Sequence, residues 1–306
     1  MKRMNNLFYL MAISLWLFSG CNSSTPKSGD DAEEGFTFAF LTDIHLQPER
    51  SAVEGFQKAI DTLNLINPDF VLTGGDLVMD VLNQSHGRAD SLFRLYKEVS
   101  DGLQMPVHNT VGNHEVYGWH RDEEGIATHP EFGKKMFEKH LGDRFYSFDH
   151  KGWHFIILDG IYRGETGHYI GKIDDEQVEW LKADLQKVDT TSPIAISVHI
   201  PFITSATQLS QGSLAASSEG LVITNSREVL ELFRKHNLRL VLQGHLHFLE
   251  DIYVQNRVHF ITAGAVSGRW WNNKPGEVPE EGFLLLHTKG EELEWEYVDY
   301  GWTPPQ

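Results

Sequence analysis

The sequence predicts an α/β layered fold with a buried sheet. Short apolar runs of β type alternate with amphipathic helical segments from residue 36 onward, and polar clusters follow directly on the apolar runs. No linker, low-complexity tract or repeat interrupts the chain beyond Gly35. The composition agrees: of 306 residues, 41% are apolar and 23% charged, which is ordinary for a domain that buries a real core.

The elements follow in order. Residues 36–41 form an apolar run that stops at Thr42-Asp43-Ile44-His45. Residues 51–65 carry helical spacing through Val53, Phe56, Ile60 and Leu63, and Asn67-Pro68-Asp69 ends that helix. A second run, 70–72, enters the turn Thr73-Gly74-Gly75-Asp76, and 89–99 is a second amphipathic helix. A strand over 107–111 leads into Gly112-Asn113-His114-Glu115. Residues 145–149 and 153–158, separated by His150-Lys151-Gly152, read as a β-hairpin. A helix is expected over 174–188, a strand over 194–198 ending at His199, and a helix over 226–236. The strand 238–242 ends at Gly244-His245-Leu246-His247, and β-type runs at 258–263 and 282–287 complete the domain.

The first residues read as targeting rather than fold. Lys2 and Arg3 precede an apolar run over 7–18, too short for a comfortable membrane span of about 20 residues, and Ser19-Gly20-Cys21 follow. Cys21 is the only cysteine, so it forms no intramolecular disulfide. A small-small-Cys after such a run resembles a bacterial lipobox, although Phe18 replaces its usual aliphatic residue. The expected organisation is a signal peptide over 1–20, a lipidated N-terminus and flexible tether over 21–35, and one domain over 36–306. An exported bacterial lipoprotein, anchored through Cys21 at the periplasmic face or cell surface, follows from that reading.

The formal charge of −17, from 43 acidic and 26 basic residues, argues against nucleic acid as a partner, because a binder needs a basic stripe. Sixteen histidines mean little by number, so position carries the argument. Five polar clusters each sit just after an apolar strand: Asp43/His45, Asp76, Asn113/His114, His199 and His245/His247. Strand C-terminal ends of α/β sheets gather on one edge, where ligands bind. Carboxylates and imidazoles brought together there bury badly unless cations lie between them. Aspartate and histidine without cysteine suit divalent manganese, iron, zinc, cobalt or nickel. Seven ligands exceed the need of one ion, and two ions sharing one carboxylate fit the count.

In order, these clusters read D-x-H, G-D, G-N-H-E, H and G-H-x-H, a series that resembles the calcineurin-like metallophosphoesterase superfamily from about residue 37 to 263. The resemblance implies a layered sandwich of two mixed β-sheets flanked by helices, with a metal site at strand C-terminal ends. It implies a hydrolase of phosphomonoesters or phosphodiesters holding two divalent or mixed-valence ions, with manganese, iron or zinc favoured. Asp43, His45 and His247 would hold the first ion, Asn113, His199 and His245 the second, and Asp76 both. A hydroxide shared by the ions would attack phosphorus. His114 would contact the phosphate or protonate the leaving oxygen. Met79 stands where purple acid phosphatases carry a tyrosine ligand, and Val78-Met79-Asp80 lacks the Asp-Arg pair of serine/threonine protein phosphatases. The D-x-H form looks like the bacterial branch that includes cyclic-nucleotide phosphodiesterases. The rival is a surface binding protein that keeps the metal cage as structure; His114, which such a cage would not require, weighs against it.

Several residues carry weaker expectations. The glycines at 75, 112 and 244 are expected to permit backbone conformations that aim the next side chain at the metals. Asp159 ends a strand and reads as a turn residue or as an orienter of a ligand histidine. His120, His129, His140, His150, His154, His168 and His259 are expected to have no metal role. In Ser267-Gly268-Arg269-Trp270-Trp271-Asn272, Arg269 could pair with substrate phosphate and Trp270 stack on a ring, against simple packing of the tryptophans. Residues 115–143 could form a lid or an ordinary surface excursion.

Overall fold

The computed structural model describes residues 35–272 and 281–303, which belong to one unit, Glu33–Gln306. The signal segment, Cys21 and the tether up to residue 34 lie outside the described residues. The strands are β1 (Phe36–Leu41), β2 (Phe70–Thr73), β3 (Val107–His108), β4 (Tyr146–His150), β5 (Trp153–Ile157), β6 (Ile161–Arg163), β7 (Tyr169–Gly171), β8 (Pro193–Val198), β9 (Asn237–Gln243), β10 (Glu250–Val254), β11 (Val258–Thr262), β12 (Phe283–Lys289) and β13 (Glu292–Val298). The helices are α1 (Ala52–Ile66), α2 (His86–Ser100), α3 (Lys135–Leu141), α4 (Asp175–Leu185), α5 (Ala206–Gln211) and α6 (Ser226–Leu232).

Two mixed sheets pack face to face. One has the order β13-β12-β1-β2-β3 and the other β10-β11-β9-β8-β5-β4, while β6 and β7 form a separate ribbon. β1, β2 and β3 are parallel, as are β5, β8, β9 and β11; antiparallel pairings join β12, β13, β4 and β10. The expected layered sandwich is therefore the observed one, and the 145–158 hairpin is present as β4–β5 at one edge.

The period of two along β1 explains the layering. Phe36, Phe38 and Phe40 face the second sheet and meet Phe155, Leu240 and Leu242, whereas Ala39 and Leu41 face the helices with Phe56, Ile60 and Phe93. Phe38 stacks on Phe70 at 5.0 Å between ring centroids and meets Phe155 edge-on at 5.3 Å. The second sheet turns its other face to α4 and α6 through Ile156, Ile196 and Val241, against Leu181 and Val229.

Some boundaries differ from expectation for local reasons. The predicted strand 107–111 pairs only at Val107 and His108, because β2 ends at Thr73 and the ladder has no further partner. Side chains take over: Thr110 N–H donates to Thr73 Oγ1 (3.0 Å) and Tyr96 OH to Asn109 Oδ1 (2.7 Å). α2 begins three residues before the predicted start, where Ser85 caps it by accepting from Arg88 N–H. The predicted helix 226–236 tightens into a 3-10 turn at Phe233–Lys235. The sequence reading did not include α3, α5, β6, β7, β10 or β13.

Phe38→Ala empties the space between the sheets. It should lower the unfolding free energy by about 3–5 kcal/mol, measured by urea denaturation of the metal-loaded protein.

Candidate metal centre

All seven candidate ligands follow strand ends, and the loops carrying them are interlocked. Asp43 N–H donates to Gly75 O (3.0 Å) and His45 N–H to Asp76 O (2.9 Å), which zips the turn after β1 to the turn after β2. The second sheet joins through Ser197 Oγ, which donates to Thr73 O (3.1 Å), and through His245 N–H, which donates to Asp43 Oδ2 (3.0 Å). Five of the seven ligands have positive φ: Asp43 at 54°, His45 at 48°, Asp76 at 51°, His245 at 72° and His247 at 53°. Such conformations cost about 1–3 kcal/mol each outside glycine and cluster at functional sites.

The glycine expectation needs correction. Only Gly75 has positive φ, at 90°; Gly112 is extended at −110°, and Gly244 is not left-handed. The ligands themselves make the left-handed turns. Gly112 and Gly244 serve close approach instead: a Cβ would lie 2.2 Å from Asp76 N at residue 112 and 2.0 Å from Thr42 Oγ1 at residue 244.

The donor atoms converge. His45 Nε2 lies 3.0 Å from His247 Nε2 and 3.8 Å from both Asp43 Oδ1 and Asp76 Oδ2. Asp43 Oδ1 is buried without a hydrogen-bond donor. Asp76 Oδ2 lies 3.2 Å from His199 Nε2, which lies 3.1 Å from Asn113 Oδ1. Among the described residues, three groups have donor atoms within 4.8 Å of one another: Asp43/His45/His247, His45/Asp76/His114 and Asp76/His199/His245. His45 and Asp76 each belong to two of them, and Asp76 Oδ2, which lies within 3.8 Å of His45 Nε2 and 3.2 Å of His199 Nε2, is the carboxylate oxygen that faces both donor sets. An orphaned carboxylate oxygen and imidazole nitrogens turned toward one another fit a pair of divalent ions and have no other evident use.

Carbonyl oxygens orient the imidazoles. The Nδ1–H of His199 donates to Gly74 O (2.7 Å), His247 Nδ1–H to Gly268 O (2.7 Å), His245 Nε2–H to Gly220 O (3.0 Å), and His114 Nδ1–H to Met79 O. Each bond leaves the opposite nitrogen facing the site. Asp159 does not take this role. Its buried carboxylate accepts from Ile161 N–H (2.9 Å), Arg144 (2.9 Å) and Lys134, so it is a turn residue at the centre of an ion-pair network.

Electrostatics make the site a cation trap. Burial pushes the Asp43 carboxyl up, but His247, His45 and His199 outweigh it and hold the group well below the usual carboxylate range. Asp76 is likewise lowered, as His199, His114 and His45 overcome its burial. Burial drives His45 and His245 down to about 4, so both are neutral donors at pH 7. Burial also opposes charge on His199 and His247, yet Asp76 raises the first to about 9 and Asp43 raises the second.

The sequence reading quoted Glu115 within its motif but gave it no role. Its fully buried carboxylate accepts from the N–H groups of Asp76 (2.9 Å), Leu77 (2.8 Å), Val78 (3.0 Å) and Gly112 (2.7 Å). Burial and the Asp76 charge raise its pKa to about 7. It clamps the loop that aims Asp76. The only trace of it in the sequence is its place closing the motif Gly112-Asn113-His114-Glu115.

The remaining candidates separate cleanly. His114 stands beside the ligands, with Nε2 3.8 Å from Asp76 Oδ2. Trp270 is 40% exposed, with its ring 4.8 Å from that of His247. Arg269 is exposed in the same loop, and Trp271 is packed into the core. His140, His150, His154 and His259 face Asp90, Asp69, Asp149 with Asp184, and Asp251 respectively; His129 packs on His86 and Tyr117, and His120 faces His168. Residues 115–143 are anchored by buried Val116, Tyr117, Met136 and Phe137, so the segment is a packed excursion rather than a free lid.

A model of the calcineurin-like phosphoesterase family matches residues 36–249. A probable cyclic nucleotide phosphodiesterase from Xenorhabdus bovienii is 24% identical over 75% of this chain and 85% of its own. A manganese-dependent ADP-ribose/CDP-alcohol diphosphatase from Homo sapiens is 29% identical over 41% of this chain, which spans 36% of that protein. Purple acid phosphatase 22 of Arabidopsis thaliana is 28% identical over 71% of this chain and 48% of its own. In fold, the chain is similar to a dimetal phosphatase from Danio rerio, with a TM-score of 0.58, 16% identity, and coverage of 87% of this chain and 99% of that one.

His199, raised to about 9, must lose its proton before the ring can bind a cation, so metal affinity should climb as pH rises toward 9. Calorimetric titration with manganese at pH 7, in buffers of different ionisation enthalpy, should show release of at least about one proton per chain. No release would remove His199 from the ligand set.

Proposed function

The chain belongs to the calcineurin-like phosphoesterase family, whose activity is metal-dependent hydrolysis of phosphate esters, and we propose that its own centre acts on small phosphate esters with the residues divided as follows. Asp43, His45 and His247 hold one divalent ion, Asn113, His199 and His245 hold the other, and Asp76 is shared. The position of Asp76 Oδ2, 3.8 Å from His45 Nε2 and 3.2 Å from His199 Nε2, is the observation that carries this assignment. Divalent ions held by these residues would supply positive charge to the phosphoryl oxygens and acidify water as the nucleophile. Manganese, iron or zinc suits a donor set of imidazole, carboxylate and amide oxygen without sulfur.

The side chains do the rest. His114 gives its Nδ1–H to Met79 O, which leaves Nε2 on the open side of Asp76 to meet the leaving oxygen or the phosphate. Glu115 keeps the Asp76 turn in place from within. Trp270 stands beside His247 and Arg269 is exposed next to it in the chain; the indole would meet the organic part of the substrate and the guanidinium its phosphate. Export and anchoring through Cys21 at a membrane complete the reading, supported by the apolar run at 7–18 and Ser19-Gly20-Cys21. No helix among the described residues is long and apolar enough to cross a membrane.

Protein stripped by chelator and reloaded with manganese or zinc should hydrolyse para-nitrophenyl phosphate or its bis-ester. Asp76→Ala and His114→Ala should each cut that rate by at least about a hundredfold, with His114→Ala retaining its metal. Unchanged rates would dismiss these roles. Cys21→Ala should move the full-length protein from the detergent-rich to the aqueous phase in detergent partitioning; an unaltered distribution counts against the anchor.

A further inference from the structure

Two groups of side chains border the ligand set from its two ends and bind no cation in the assignment above. At the end of the first donor set stands Trp270, its ring 4.8 Å from that of His247 and 6.0 Å from that of His45. Its posture is strained and held from several directions. Trp270 and Trp271 have φ of 54° and 63°, values rare for bulky residues. The buried Trp271 donates its indole N–H to Ile44 O (2.8 Å) and its backbone N–H to Ser267 O (2.8 Å). Ser267 Oγ donates to Asp43 O (2.7 Å), and Arg50 donates to Trp270 O (3.1 Å). Packing alone does not require this, because Trp271 already fills the core position while Trp270 remains 40% exposed. Strain held in place by so many bonds clusters at functional sites, and here it presents an aromatic face beside the ligand set.

At the end of the second donor set, Tyr169 lies edge-on to His245 with ring centroids 6.1 Å apart. His120 stacks beside Tyr169 at 6.4 Å, and His120 Nε2 is 3.3 Å from His168 Nδ1. Two separate segments meet to build this wall: the β6–β7 ribbon and the excursion that follows Glu115. Gly220, whose carbonyl orients His245, supports it, since a Cβ there would lie 3.8 Å from Tyr169 Cε2.

A phosphomonoester carries one organic substituent and a phosphodiester two. Two walls flank the ligand set, one beside His247 and one beside His245, so a monoester leaves one of them bare. We infer that the substrate is a phosphodiester, with one ring-bearing substituent on Trp270 and the other substituent against Tyr169, His120 and His168. This inference rests on the phosphoesterase reading above.

The test compares bis(para-nitrophenyl) phosphate with para-nitrophenyl phosphate on manganese-loaded wild type, Trp270→Ala, Trp270→Phe and Tyr169→Ala. Wild type should favour the diester in kcat/KM by at least about tenfold, and each alanine variant should lower diester kcat/KM by about ten- to a hundredfold, chiefly through KM, because the walls touch substituents and not phosphorus. Trp270→Phe, which keeps a ring, should stay within about threefold of wild type. The two alanine changes lie on separate loops, so misfolding of one leaves the other decisive. Equal or better monoester turnover by wild type, or diester kinetics unmoved by both alanine changes, overturns the inference alone. Turnover of neither ester overturns the phosphoesterase reading and this inference with it.

Discussion

Asp43 and Asp76 are carboxylates at 0% and 2% exposure, ionised, and faced by imidazoles whose free nitrogens point inward. Such a cluster is stable only with positive charge at its centre. The protein meets that demand in two ways. Asp76 and Asp43 favour protons on His199 and His247, and divalent ions held by the same residues would supply that charge in their place. Surrounding features serve to keep this charge problem in place: left-handed turns at five ligands, backbone zippers between loops, and carbonyls fixing one nitrogen of His199, His245, His247 and His114.

That centre depends on the register between two sheets. Phe36, Phe38 and Phe40 from one sheet interleave with Phe155, Leu240 and Leu242 from the other, an apolar contact that carries no chemical information of its own. Near the strand ends the contact changes character. Thr73, Thr110 and Ser197 replace the phenylalanines, with Thr110 Oγ1 2.7 Å from Ser197 Oγ. This buried hydroxyl belt has directional bonds where the phenylalanine layer has none, so it fixes the position of one sheet's end against the other. One layer above it, the ligands from both sheets meet.

Much of this was legible in sequence because strand ends and ligands share local signals. An apolar run stopping at Asp43-Ile44-His45 or Gly244-His245-Leu246-His247 marks both the strand and the edge on which it ends. Edge elements were harder. β13 alternates Glu292, Glu294 and Glu296 with Leu293, Trp295 and Tyr297, and its acidic face hid a strand in plain period-two form. β3 was overextended because nothing from Val107 to Val111 breaks a strand, whereas the pairing stops at His108 opposite Leu72. The glycine roles were misassigned because closeness of approach depends on a second segment, Asp76 for Gly112 and Thr42 for Gly244. No single-chain pattern shows what will be opposite.

The turn Asn113–Glu115 shows why so short a motif carries so much. It is one turn of 3-10 helix. With three residues per turn, successive side chains point about 120° apart. Asn113 turns toward His199 and the second donor set, His114 toward the mouth, and Glu115 back under the Asp76 loop. A strand would instead turn Asn113 and Glu115 to the same face. Gly112 completes the arrangement, since its missing side chain is the space in which the Asp76 backbone and the Glu115 carboxylate meet. A ligand, a proton-handling histidine and the brace of the shared carboxylate are thus joined by adjacent peptide bonds, and moving any one of them moves the other two.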